Sequence, residues 1–530
     1  MAEMLRRSLL WRLIQAVLRF ASGLGETSRA LGFLSRTVRA SRVHGFVRAR
    51  LLAPAGLTET SRLAVRAEAR ARRLSRKTRL TACVRASLLF RIYAWLMRCG
   101  RESRLLSWLF SGGMTALILF AVTMYLPLDY LLRDVLSVPV LSSCWDEALL
   151  LWAFVWLFYQ KLDRAAPKPL GLNPQDFPVA LFLVTGFCLM CFVDPFPSIQ
   201  LSGYRAAAQY LLWFYAVTRL VRSERDILRM YLCFVCLAAV LALHGVYQYI
   251  VKAPIPASWM THTETAVRTR VYSIFGSPNI MGDFMALFAP MAAALAYYTK
   301  KPVLQALSWL AAIVMCVACL FTMSRAAWAA MAVSIVIFIL LVDRRLLLPL
   351  LLAGVCACFL PFVRTRIGFL FTKEFAEANT SGGRAGRRIE AMRLFETADK
   401  RFGLGHGMFG GAVAMQNQVL DGVEYFYLDN YYLKTMLEMG CTGLAAFGLM
   451  LLGLLYNGLR SVSRLYAARR EKAGRFYPLL CAMFAGLCGV LVHCAVENIF
   501  EEPYMTAYFW TLAAMIIWLG FLRKPEEAPV

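Results

Sequence analysis

Along this chain, apolar stretches of membrane-crossing length alternate with short polar connections. A helix rises 1.5 Å per residue, so about 20 apolar residues cross a hydrocarbon core of about 30 Å. That measure predicts twelve spans, near 111–132, 140–160, 177–193, 204–221, 227–251, 277–299, 303–322, 325–342, 346–363, 431–457, 477–496 and 504–522. Three connections are long, 161–176, 252–276 and 364–430, and the last is by far the largest. The short connections 161–168, 219–225, 300–301, 343–345 and 460–475 fall on alternate sides and are basic or neutral. Positive residues are retained in the cytoplasm, so these connections and both chain ends are expected there. The outer set then holds 194–203, 252–276, 323–324, 364–430 and 497–503. The expected fold is an all-α, polytopic membrane protein of about 12 transmembrane helices with a large outer loop between spans 9 and 10.

Composition agrees. Hydrophobic residues make up 59% and charged residues 17%, where soluble domains average about a quarter charged. The net charge is +26, from 58 Lys and Arg against 32 Asp and Glu. Residues 1–105 alone hold 23 Lys and Arg against 5 Asp and Glu, which is +18 of that total. Two organisational units are therefore expected: a basic cytoplasmic or membrane-interface leader, 1–105, and a transmembrane domain, 106–530. Within the leader, 5–20 and 86–97 set apolar and aromatic residues between arginines at helical spacing, as in a helix lying in the membrane interface. A poorly ordered basic leader fits equally well. Ahead of a membrane domain such charge points to anionic lipid rather than nucleic acid. Most of the fifteen cysteines sit in apolar runs, among them Cys188, Cys191, Cys316 and Cys319. There they act as small apolar residues, and no pair has the companions of a zinc or disulfide framework. Neither metal nor cofactor is expected.

Positive charge on the outer side breaks the topology rule. Arg205 opens the fourth span, Arg268 and Arg270 lie in an outer connection, and Arg325 begins the eighth span. Arg384, Arg387, Arg388 and Arg393 cluster in the large loop. Charge at a bilayer boundary is costly unless paired or wetted, so each marks a functional candidate or a snorkelling side chain. Arg325 fits snorkelling least, because a bare turn leaves little chain to carry it into water. Guanidinium groups hold phosphate oxygens as a bidentate fork, so several converging arginines suggest a diphosphate ligand.

Residues 425–443 read YFYLDNYYLKTMLEMGCTG. Asp429 and Asn430, ringed by Tyr425, Tyr427, Tyr431 and Tyr432, have the chemistry that binds sugar rings. The same residues also fit an interfacial tyrosine belt with an Asp-Asn helix cap. The run 403–411, GLGHGMFGG, suits close backbone approach or a flexible turn, and its His406 is expected to be an exposed bystander. His493 and Glu497 share a face at i, i+4, fitting either a function or a packing hydrogen bond. Asp146 and Glu147 lie about 100° apart on a helix, so only one is expected to face and neutralise an arginine.

Four stretches together resemble the O-antigen ligase and O-antigen polymerase superfamily of bacterial membrane glycosyltransferases. They are 270–284 (RVYSIFGSPNIMGDF), 322–328 (TMSRAAW), 387–409 ending in GLGHGMF, and 429–443 (DNYYLKTMLEMGCTG). The likeness covers roughly 200–460. It implies a metal-independent glycosyltransferase in the bacterial cytoplasmic membrane. The donor would be a polyprenyl-diphosphate-linked glycan on the outer face, and the acceptor a glycan or lipid-linked hydroxyl. It also implies catalytic roles for Arg325, Asp429 and Arg270, and substrate binding by Arg205, Asn279, Arg388, Asn430 and Tyr432. Arg205, Arg270 and Arg325 would together meet the departing diphosphate. The family often has His-Asn where this chain has Asp429-Asn430, so the base would be a carboxylate. The alternative class is a secondary transporter or flippase for an anionic or lipid-linked solute. Against it, no internal repeat is evident and the unusual charges lie at the rim, not at mid-depth.

Overall fold

The computed structural model describes residues 86–103, 113–162, 171–193, 196–254, 269–381, 383–410, 419–420, 423–469 and 472–523, with isolated positions between 65 and 83. Arg268 and the expected helix 5–20 lie outside the described residues. The second leader helix is α1, Leu88–Glu102, capped by Ser87, whose hydroxyl accepts from the Phe90 N–H at 3.3 Å. Leu88, Ile92, Trp95 and Leu96 form an exposed apolar stripe along it.

The membrane domain opens with α2 (Met114–Thr123), α3 (Tyr125–Tyr130, extended by a π turn to Val135), α4 (Pro139–Leu162) and α5 (Asp176–Phe192). Next come α6 (Pro197–Ala208), α7 (Leu212–Leu220), α8 (Glu224–Ile250), α9 (Pro278–Tyr298), α10 (Pro302–Phe321) and α11 (Arg325–Val342). The chain continues through α12 (Leu347–Cys358), α13 (Pro361–Phe369), α14 (Lys373–Thr380), α15 (Arg384–Thr397), α16 (Tyr431–Ala467), α17 (Tyr477–His493) and α18 (Pro503–Ile517). Among the described residues, seven helices are long and apolar enough to cross a membrane, or nine if each of two bent pairs is one span. The three other expected spans correspond to α4, the 17-residue α5, and the divided α6–α7.

Each departure from a straight span has a local cause. The first span bends by 76° between α2 and α3. Pro127 lacks the N–H that would bond the Thr123 carbonyl. Tyr508 bridges this gap: its hydroxyl donates to the Thr123 carbonyl at 3.2 Å and accepts from the Leu126 N–H at 2.8 Å. The ninth span bends by 81° where Leu360, pushed to extended backbone by Pro361, separates α12 from α13. Between α6 and α7, Gln209 and Tyr210 turn inward to Asp146. Its Oδ2 accepts from Gln209 Nε2 at 3.0 Å and from the Tyr210 and Tyr125 hydroxyls at 2.9 Å each. A buried carboxylate needs such donors.

The centre of the bundle is α9, buried over 89% of its apolar window, whereas α10, at 22%, faces outward. Helices in lipid associate through close backbone approach at small residues rather than through apolar burial. Gly486 of α17 accordingly sits on the Leu287 carbonyl of α9. A Cβ at Gly489 would come within 2.8 Å of the Ala330 carbonyl of α11.

Region 364–430, expected as a loop, contains helices α14 and α15 and a two-residue antiparallel ribbon, β1 (Val419–Leu420) with β2 (Val423–Glu424). It is stitched onto α16 at a break. Gly440 takes φ 63°, ψ −168°, and interrupts that helix. The Leu437 and Glu438 carbonyls accept instead from the Leu404 and Gly405 N–H groups, at 2.8 and 2.9 Å. The Cys441 and Thr442 N–H groups donate to the carbonyls of Lys400 and Arg401. The glycine run therefore serves close backbone contact.

Candidate active site

Arg384, Arg387 and Arg388 stand at i, i+3 and i+4 on one face of α15, near its N-terminus. The helix dipole disfavours cations there, so carboxylates must compensate. Arg384 Nη2 donates to Glu497 Oε2 at 3.1 Å, and its Nε lies 3.8 Å from Asp429 Oδ2. Arg387 holds the same Asp429 oxygen through Nη2 and, at 3.0 Å, through Nε. Arg388 Nη2 donates to the Ala495 carbonyl at 2.7 Å, two residues before Glu497.

Glu497 also receives groups from the bundle. Asn279, in the first turn of α9, donates through Nδ2 to Glu497 Oε2 at 2.6 Å. The Tyr427 hydroxyl lies 3.3 Å from the other oxygen. Arg270 Nη2 donates to Asn279 Oδ1 at 3.3 Å, while its Nε donates to the Thr322 carbonyl at 3.0 Å. The result is a continuous alternation of charge and amide: Arg270, Asn279, Glu497, Arg384, Asp429, Arg387. Asp429 and Glu497 are only 9% and 5% exposed, so the alternation offsets what lone buried charges would cost. Burial, and then the neighbouring Glu497, push the Tyr427 phenol well above its usual range, so it remains a donor. Burial also raises the Glu502 carboxyl.

This network borders a cavity of about 1150 Å³. Asn279, Arg384, Tyr427, Asp429 and Glu497 line one part of it. Another part is formed by Asp129, Arg133, Ser202, Arg205, Gln209 and Tyr210, with Glu501, Glu502 and Tyr504 nearby. Here Arg133 Nε pairs with Asp129 at 2.7 Å, and Arg205 pairs with Glu147 while donating to Gln209 Oε1 at 3.1 Å. Glu147 thus takes the arginine and Asp146 turns to the tyrosines, as their angular offset on α4 requires. Five carboxylates and three guanidinium groups line the space. It is a mosaic of paired charges, amides and tyrosines, which suits hydroxylated rings better than a bare polyanion. Among the described residues, no three His, Cys, Asp or Glu side chains gather so as to hold a metal ion.

Residues 310–448 match the family model described as O-antigen ligase. Over that segment the chain is similar to the O-antigen ligase family. With the apolar helices, this makes the molecule a multi-pass membrane protein with a glycan-transferring ligase or polymerase role. No curated protein matches the chain. The O-antigen ligase segment supplies Arg384, Arg387, Tyr427 and Asp429; Arg205, Arg270, Asn279 and Glu497 come from outside it.

Of the eight residues expected at the site, Arg205, Asn279 and Asp429 line the cavity. Arg270 reaches it through Asn279, and Arg388 props the turn before Glu497. Arg205, Arg270 and Arg325, expected to meet at the departing diphosphate, each have protein partners of their own. Arg205 is held against α4 and Arg270 against the turn between α10 and α11. Arg325 is not among the lining residues: its guanidinium lies 5.1 Å from the Phe375 ring and 6.0 Å from Phe369, donating to the Arg366 carbonyl at 3.5 Å. Asn430 caps α16, its Oδ1 accepting from the Leu433 N–H at 2.9 Å. The Tyr432 hydroxyl donates to the Leu491 carbonyl at 2.6 Å, as a phenol among apolar helices must find an acceptor. His406, expected to be exposed, is buried against Tyr204. Burial lowers its pKa to about 4, leaving it neutral.

Sequence reasoning names Arg384 and Arg387 only as candidates among the boundary arginines and Glu497 only as sharing a face with His493, and it misses Asp129, Glu501 and Glu502. The signal for the three glutamates is the acidic run 497–502, ENIFEE, between two apolar spans, since a carboxylate at a bilayer boundary needs a reason as much as an arginine does.

Proposed function

We propose that this protein moves a glycan from a polyprenyl-diphosphate carrier to an acceptor sugar hydroxyl. The cavity would open to the outer face of the bacterial cytoplasmic membrane, with both chain ends cytoplasmic. The observation that carries this reading is the pair of buried carboxylates, Asp429 and Glu497, bridged by Arg384 beside a large polar cavity. At about 1150 Å³ the space exceeds the roughly 300–1,000 Å³ of drug-sized ligand pockets, so it accommodates several sugar rings.

In the proposed reaction the acceptor oxygen attacks the anomeric carbon. The bond from that carbon to the phosphate oxygen breaks, and its electron pair leaves on the lipid diphosphate. Asp429 takes the acceptor proton, with Glu497 and Tyr427 orienting the sugar. Arg205 on the cavity wall, backed by Arg270 through Asn279, meets the developing charge on the leaving group. Arg325 and Arg388 support the large loop and the Glu497 turn from behind.

The test is transfer in proteoliposomes that contain a polyprenyl-diphosphate oligosaccharide and an acceptor glycan. General-base contributions are typically about 10²–10⁴-fold, so Asp429→Asn should lower kcat by at least about 100-fold. Full activity in both Asp429→Asn and Glu497→Gln would overturn the reading. In cells, deletion that accumulates single lipid-linked repeats assigns a polymerase; accumulation of long lipid-linked chains assigns a ligase.

A further inference from the structure

One helical turn below the Asn279–Glu497 contact lies a second polar contact that the proposed reaction does not use. Asp283 follows Asn279 by four residues on α9, and His493, the last residue of α17, precedes Glu497 by four. His493 Nδ1 and Asp283 Oδ1 share a hydrogen bond of 2.9 Å, and both side chains are wholly buried. Among the described residues, His493 Nε2 and Asp283 Oδ2 have no hydrogen-bond partner.

An ionisable pair in a dry helix interface is a poor way to pack a bundle. Apolar side chains of similar volume serve as well or better, and ionisable residues inside a membrane span mark function by default. The chain after His493 explains the use of this one. The helix ends there, and residues 494–498 leave it through tight turns, with the Val496 N–H bonded to the His493 carbonyl at 2.9 Å. Glu497 therefore stands on a non-helical turn whose lower anchor is His493. Its upper contacts, Asn279 and Arg384, require α9 and this turn to be in register.

We infer that Asp283 and His493 are positioning residues, which lock α9 to the end of α17 so that Asn279 and Glu497 meet at the cavity. The inference rests on the reading of Glu497 as an acceptor-side carboxylate. It predicts that the pair acts on turnover through Glu497 rather than on folding alone.

Steady-state transfer is measured with the full-length protein in proteoliposomes. Asp283→Ala and His493→Ala should each lower kcat about 10- to 100-fold, the scale of a misplaced catalytic group, with little change in the acceptor KM. Asp283→Asn keeps an acceptor oxygen, and His493→Asn keeps a nitrogen near Nδ1, so both should stay within about threefold of wild type. In a Glu497→Gln background, adding Asp283→Ala should cause no further loss, because the two changes remove the same contribution. Unchanged kcat in both alanine variants, with only a lower melting temperature, would overturn the inference. So would losses that multiply with Glu497→Gln. Full activity of Glu497→Gln by itself would instead remove the reading beneath it.

Discussion

Gly440→Ala tests how the large loop is held. At φ 63°, ψ −168°, Gly440 occupies a region that is essentially closed to other residues, and forcing alanine there costs about 1–3 kcal/mol. Its new Cβ would lie 2.5 Å from the Arg401 carbonyl carbon and oxygen and from the Phe402 nitrogen. These are backbone atoms, so no rotamer change relieves the clash. Relief requires residues 401–405 to lift from α16, breaking the Leu404–Leu437 and Gly405–Glu438 hydrogen bonds, worth about 1 kcal/mol each. Those bonds oppose lifting equally in wild type and variant, so the strain of about 1–3 kcal/mol sets the change, and the lifted state gains about 5- to 150-fold in population. Hydrogen exchange at the Leu404 and Gly405 amides reads that shift directly, and transfer should fall with it, because Arg384 and Arg387 ride on the same loop. Gly448, eight residues along the same helix, is the control, since a Cβ added there would meet nothing within 4 Å. Gly448→Ala should be neutral or stabilise by up to about 1 kcal/mol. Wild-type protection of the Leu404 and Gly405 amides in Gly440→Ala would refute the stitched-loop account.

His406 gives a pH dependence with a defined sign. Its folded pKa of about 4 lies below the unfolded value of about 6.5. The unfolded loop therefore binds the proton first, so stability is unaffected above pH 6.5 and falls by about 3 kcal/mol on going down to pH 4. Melting curves between these limits should show the loss in wild type and a flatter response in His406→Asn; identical slopes would contradict it. Arg325→Lys keeps a cation beside Phe375, so it should retain most transfer if Arg325 anchors the loop, whereas Arg325→Ala should not. Equal loss in both would return Arg325 to a role that needs a planar fork. Asn430→Ala removes a helix cap worth about 1 kcal/mol. It should lower the melting temperature while transfer stays within about threefold, and a loss beyond tenfold would make Asn430 a substrate ligand.

What can be read in the sequence, and what cannot, follows from the range of the interactions. Apolar length is a local property, so α8, α9, α10, α11 and α16 lie close to where the residue pattern puts them. Proline marks a bend locally, but what satisfies the break is not local: the Pro127 break is closed by Tyr508, more than 380 residues away. The arginines show the same division. Their excess cost at the boundary is visible in the sequence, but the means by which each is compensated is not. Arg325 stands out in the sequence because no loop is available to carry it into water. In the fold the loop comes to Arg325 instead, presenting Phe369 and Phe375 as π faces and the Arg366 carbonyl as an acceptor. Arg384 and Arg387 find carboxylates, one from the start of α16 and one from the turn after α17. Arg325 is not among the residues that line the cavity, whereas an arginine compensated by a carboxylate at the cavity wall can exchange that partner for substrate. Acidic residues at the same boundary as the arginines are therefore the stronger pointer to the site. By that criterion residues 497–502, outside the matched O-antigen ligase segment, belong to it as fully as Asp429 does.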